Sequence, residues 1–133
     1  MQSEFFWLAA ADVIEINLDI VTGTAEPHAV LDHYKLESAL GRPQAMALYS
    51  GVDNTLSLGI SYMVSIAQAH PFLQGNKRTG FVAGRMFMQN HGYDLLLPDT
   101  EAIADFFMEV IIDPTKVQLF ETHLENYVVE FDE

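Results

Sequence analysis

The chain has 133 residues, with 6 basic and 19 acidic side chains, no cysteine and a net charge of −13. This length fits one domain, 1–133, with a core that needs no disulfide or metal staple. The charge excludes a nucleic-acid or anionic-membrane binder, which would be repelled over most of the surface, and the missing cysteines exclude thiolate catalysis and Cys-ligated zinc.

At the N-terminus, Met1-Gln2-Ser3-Glu4 carries no basic leader region, and the apolar run Phe5 to Ala11 is far too short to span a bilayer. The expectation is a cytoplasmic domain with no membrane contact. From Ala10 to Val21, Val13, Ile14, Ile16, Ile20 and Val21 recur between acids with a helical period. Thr22 to Pro27 reads as a loop. A short helix is predicted over Tyr34 to Leu40, stopped by Gly41-Arg42-Pro43.

Thr55 to Ala69 is apolar around most of its circumference, as a central buried helix is. His70-Pro71 ends it, because a residue before proline is pushed out of the α region. After a loop through Gly75, Asn76 is the candidate N-cap of a helix over Lys77 to His91, with Gly92 as its stop. Tyr93 to Leu97 is a short extended piece. Pro98-Asp99 restarts helix through Ile112, and Pro114 begins a last one towards Val129. Repeats and linkers are absent and strand signals nearly so, which predicts an all-α bundle.

Three of the six cations, Lys77, Arg78 and Arg85, lie within nine residues. Lys77 and Arg78 fall in the first helical turn, where the macrodipole is already positive and each cation costs about 0.3–1 kcal/mol. A chain rich in acids has placed bases where acids are favoured. An anion held by Lys77, Arg78 and free backbone N–H groups resolves that conflict, and Gly75 allows the backbone to approach it closely. The alternative is neutralisation of neighbouring carboxylates. His70, at the other side of the loop, is positioned as a candidate general base or as a helix C-terminal dipole partner.

His70-Pro71-Phe72-Leu73-Gln74-Gly75-Asn76-Lys77-Arg78-Thr79-Gly80 resembles the signature loop of the Fic/Doc family, of pattern His-x-Phe-x-(Asp/Glu/Asn)-(Gly/Ala)-Asn-(Gly/Lys)-Arg. Lys77 followed by Arg78-Thr79 resembles the Doc (death-on-curing) branch. Leu36 to Leu40 with Arg42-Pro43-Gln44, and Asn90-His91-Gly92-Tyr93, are similar to flanking segments of such proteins, so the likeness covers roughly residues 8 to 125. The resemblance implies a compact Fic-fold helical bundle whose central helix–loop–helix carries the signature. It implies His70 as base, Phe72 as a structural anchor, and Gly75, Asn76, Lys77, Arg78 and Thr79 as the phosphate-binding turn, with Arg78 catalytic.

By this resemblance the protein is a Doc-like toxin that moves a phosphoryl group from ATP to a Ser/Thr hydroxyl of a target such as a translation elongation factor. The alternatives are AMP transfer of the Fic type, or a silent Fic-fold binding protein. Position 74, usually an acidic magnesium ligand, is Gln74, which offers a carbonyl without charge, so a weakened Mg²⁺ site is expected. Phe81 stands where Fic-type AMP transferases commonly carry a second Arg, which favours the Doc branch. Arg85, further along the helix, is expected in a surface ion pair.

Family members are often silenced by a helix of pattern Ser/Thr-x-x-x-Glu-Gly/Asn. Thr22-x-x-x-Glu26 fits the first five positions, but Pro27 follows and the segment reads as loop; Glu121-x-x-x-Glu125-Asn126 fits only the end. Control is therefore expected from a separate antitoxin protein. His28, His33, His91 and His123 show no zinc-binding spacing. Glu101/Asp105 and Glu121/Glu125 read as solvated faces. Gly80-x-x-x-Gly84 is expected to let a neighbouring helix approach closely.

Overall fold

Asn54 begins the helix around which the others are arranged: its side chain accepts the N–H groups of Leu56 and Ser57 at 2.9 and 3.1 Å, capping α3, Thr55–Ala69. The computed structural model describes residues 4–131, so the Met1–Ser3 stretch read above for a leader lies outside the described residues. α3 separates two cores. Leu58, Tyr62 and Ile66 face one, with Val13 and Ile16 of α1 (Ala10–Gly23) and Leu36 and Leu40 of α2 (His33–Ser50). Leu56, Ile60, Met63 and Ala67 face the other, with Ile103 and Phe107 of α5 (Thr100–Ile112) and Phe120 and Leu124 of α6 (Val117–Glu125). Each Val, Leu, Ile, Met or Phe among them that is fully buried contributes about 1.5–3 kcal/mol of transfer free energy.

α4, Asn76–Gln89, lies against α3 at very short range. A Cβ at Gly80 would stand 2.5 Å from the carbonyl oxygen of Met63, and one at Gly84 would collide with Gly59 O and the Met63 side chain. The small-residue face expected from the sequence is therefore where two backbones meet.

The structure corrects two element boundaries. α2 does not stop at Leu40 but continues through Gly41 and Pro43 to Ser50. Proline inside a helix costs about 3 kcal/mol. Pro43 is nevertheless buried on the face of Leu36, Ala39 and Leu40, and Met46 and Ala47 extend that stripe against the core. Tertiary burial overrides the local stop signal. The last helix ends at Glu125, not near Val129. Beyond it Val128–Glu130 forms β2, antiparallel to β1 (Tyr93–Leu95), with Asp94 opposite Val129. The extended Tyr93 piece was legible, but its partner was not, because three residues are too few to show alternation. Pro98-Asp99 and Pro114 act as expected, with Asp99 capping α5 and Pro114–Lys116 forming a 3-10 turn ahead of α6. Among the described residues the fold is all-α apart from this ribbon. No described helix is long and apolar enough to cross a membrane.

Candidate active site

The signature loop joins the end of α3 to the start of α4. His70 closes α3 in the left-handed region, φ 49° and ψ 52°, and its side chain is exposed. A non-glycine residue held there costs about 1–2 kcal/mol, so the surroundings must over-determine it. They do so from both sides. The buried Pro71 carbonyl accepts N–H groups from Leu31 at 2.8 Å and Asp32 at 3.2 Å, and Leu73 N–H donates to Ala29 O at 3.0 Å. Phe72 is 1% exposed, packed in the core and bridged to Val30.

Asn76 is not the N-cap. Gly75 takes that position at φ +76°, and Asn76 is the first helical residue. Its amide instead clasps the loop: Oδ1 accepts Phe72 N–H and Nδ2 donates to Phe72 O, both at 2.9 Å. A glycine cap brings no side-chain acceptor, so the N–H groups of Asn76, Lys77 and Arg78 have no partner among the described residues. The first bond of α4 runs from Thr79 N–H to Gly75 O at 2.8 Å. Thr79, expected among the phosphate ligands, is 0% exposed, and its hydroxyl accepts Asn17 Nδ2 at 2.9 Å. It supports the turn from beneath.

Lys77 and Arg78 are exposed at the turn. Arg78 is engaged: its Nη2 lies 2.7 Å from Glu26 Oε1, and the Thr24 hydroxyl donates to the same carboxylate oxygen. Thr24 first, and Arg78 with it, hold the Glu26 carboxyl below the usual carboxylate range. Thr22 and Gly23 are still the end of α1, and the predicted loop begins only at Thr24, yet it delivers the acid of Thr22-x-x-x-Glu26 to the signature arginine. Arg85 is in the expected ion pair, 3.0 Å from Asp94 Oδ1, and also donates to Leu95 O at 3.3 Å, tying β1 to α4.

Beside the turn, between α4 and α5, opens an apolar cavity of about 450 Å³ lined by Phe81, Phe107 and Met108 among others, with Lys77, Arg78 and Arg85 bordering it. Phe81 packs edge-on against Phe107, with ring centroids 5.7 Å apart. Lys77 and Arg78 are brought to this cavity; His70 and Gln74 are not among its lining residues. The sequence reading missed Thr24 and Asn17, and set Glu26 aside because Pro27 follows it. Glu26 carried a signal there as the acid of Thr22-x-x-x-Glu26, and Asn17 as a polar residue set within the apolar stripe of Val13, Ile16, Ile20 and Val21.

The donor set at position 74 does not make a resident metal site. Gln74 is exposed and neutral, and the described residues contain no group of three His, Asp or Glu able to hold a cation.

The chain is similar to the "Protein kinase doc" of Escherichia phage P1, 28% identical over 74 residues, which are 56% of this chain and 57% of that protein. The match thus spans little more than half of that relative. A family model described as the Fic/DOC family matches residues 7–88, from Trp7 through the signature loop and most of α4, and the chain belongs to that family.

Proposed function

We propose that this chain is a Doc-like toxin that transfers the γ-phosphoryl group of ATP to a Ser or Thr hydroxyl of a target protein. The observation that carries this is the glycine-capped start of α4: three N–H groups without a partner among the described residues, together with the Lys77 and Arg78 side chains, in a protein otherwise strongly acidic. Phosphate oxygens fit that cradle, and the adjoining apolar cavity is of a size to take a nucleoside. The exposed His70 imidazole takes the proton of the target hydroxyl as its oxygen attacks the γ-phosphorus. The bond to the β–γ bridging oxygen breaks and ADP leaves. Positioning and charge neutralisation by Lys77 and Arg78 do the rest.

Likeness to a protein kinase supports phosphoryl transfer, as does Phe81 in place of a second arginine. Magnesium is expected with the donor phosphates, and Gln74 adds little to hold it. A translation elongation factor in the cytoplasm is the target class we propose, and a separate antitoxin the controlling partner. The neutral Gln74 and the Glu26 carboxylate on Arg78 favour one second reading, a silent Fic-fold binding protein.

Incubation with lysate and ATP labelled at either the γ- or the α-phosphate tests these readings. The γ-label is expected on one protein band, and His70→Ala is expected to abolish it. Transfer of the α-label means AMP transfer. No transfer, with ATP binding restored by Gln74→Glu, means a silent protein.

A further inference from the structure

We propose that Asn17 of α1 is a positioning residue for the phosphate cradle, a role that rests on the reading of α4's first turn as the donor site. Asn17 is 0% exposed. Its Nδ2 donates to Gln74 O at 2.8 Å and to Thr79 Oγ1 at 2.9 Å, so one side chain grips the residue before the Gly75 cap and the residue that closes the first turn. Its Oδ1 is buried without a partner among the described residues.

That pattern points to direction rather than stability. An apolar residue at position 17 would match Val13, Ile16 and Ile20 and would leave no orphaned oxygen, which buried amides rarely tolerate. Reversing the amide would set Oδ1 against the Gln74 carbonyl, so the two donor bonds fix its orientation. The Gln74–Gly75 peptide is trans, and in a planar trans peptide the C=O and N–H point opposite ways. Drawing Gln74 O towards α1 therefore turns Gly75 N–H away from α1. The same amide also holds Thr79, whose N–H bonds Gly75 O, so α4 starts in one fixed direction. Gly75 lies so close to α1 that a Cβ there would stand 3.4 Å from Asn17 Nδ2.

Asn17→Leu removes both donors and keeps the volume; Val13→Ala, one turn away in the same core, serves as the packing control. In the unliganded protein, Asn17→Leu is expected to change the Gly75 amide-to-Hα couplings and shift the amide resonances of Gly75 to Arg78. Val13→Ala is expected to lower the melting temperature and leave those signals in place. ATP affinity by calorimetry is expected to fall about tenfold to a hundredfold in Asn17→Leu only.

Unchanged Gly75–Arg78 signals in folded Asn17→Leu overturn the proposal, as does an equal loss of affinity in Val13→Ala. Should the native chain bind no ATP while the amides still move, the positioning role stands and the donor assignment falls. If Asn17→Leu does not fold, Asn17→Asp decides: its carboxylate cannot donate to Gln74 O, but the protonated acid can. Acidification should then return its Gly75 signals towards those of the native protein, and failure to do so overturns the role.

Discussion

The Arg78 guanidinium lies 2.7 Å from the Glu26 carboxylate, and Thr24 steadies the same oxygen. A cation assigned to phosphate is thus already occupied by an acid delivered from the α1 exit. The pair is partly exposed, at 46% and 30%, and ion pairs open to water are weak. Under the proposed function, a nucleotide is expected to displace Glu26 at a small loss of affinity. Glu26→Gln should tighten ATP binding about two- to fivefold by calorimetry. Weaker binding would mean that Glu26 helps to hold the arginine in place instead of competing for it.

Asn76 holds Phe72 by two reciprocal bonds. Asn76→Ala should lower stability by about 1–3 kcal/mol in urea denaturation, because both Phe72 backbone groups lose their side-chain partner. It should weaken ATP binding as well, since the same loop presents Gly75. Loss of stability with affinity intact would separate the clasp from the cradle.

Much of this was legible in the sequence. Thr55–Ala69 shows its burial by being apolar around most of its circumference, and His70-Pro71 and Gly75 punctuate the loop where the chain turns. The concentration of cations located the start of α4. What stayed hidden depends on distant pairing. Pro43 reads as a stop until its buried face is known, Val128–Glu130 needs Tyr93–Leu95 to be a strand, and Glu26 meets Arg78 across 52 residues. Asn76 has the right residue type for a cap, and only the loop's geometry assigns its amide to Phe72.

Gly80 and Gly84 set the spacing of α3 and α4. Gly80→Ala places a methyl group 2.5 Å from Met63 O, which is backbone and cannot rotate away. Destabilisation of about 1–3 kcal/mol or more is expected by thermal or chemical denaturation. Gly41→Ala, in open space within α2, should instead stabilise by about 0.5–1 kcal/mol. Equal responses at the two sites would contradict the close contact.

Arg85 and Arg78 should separate by function. Arg78→Ala should weaken ATP binding about tenfold or more, whereas the distant, exposed Arg42→Ala should not. Arg85→Ala should chiefly lower stability, by about 1–3 kcal/mol, because it frees Asp94 and Leu95 O. Burial pushes the Asp94 carboxyl upwards, but Arg85, Leu95 N–H and Gln89 outweigh it and hold the carboxyl below its ordinary 3.8. The stability this gives is present above 3.8 and is lost as pH falls through the lower folded value. Acid titration of Arg85→Ala should show less of that loss than the native chain.

Tyr62 makes the corresponding prediction at alkaline pH. Its ring is fully buried where α3 faces the first core, and its hydroxyl accepts Leu8 N–H at 3.0 Å. Burial is the main cause that pushes the phenol from 10.0 up to about 12. A raised folded value leaves stability intact below about 10, the unfolded value, and removes it progressively as pH climbs towards 12. Tyr62→Phe should cost about 1–3 kcal/mol at neutral pH, because Leu8 N–H is left buried without an acceptor. The same variant has no phenol to ionise, so the gap between it and the native chain should narrow between pH 10 and 12 in urea denaturation. A constant gap across that range would mean that the Tyr62 hydroxyl reaches solvent in the folded state.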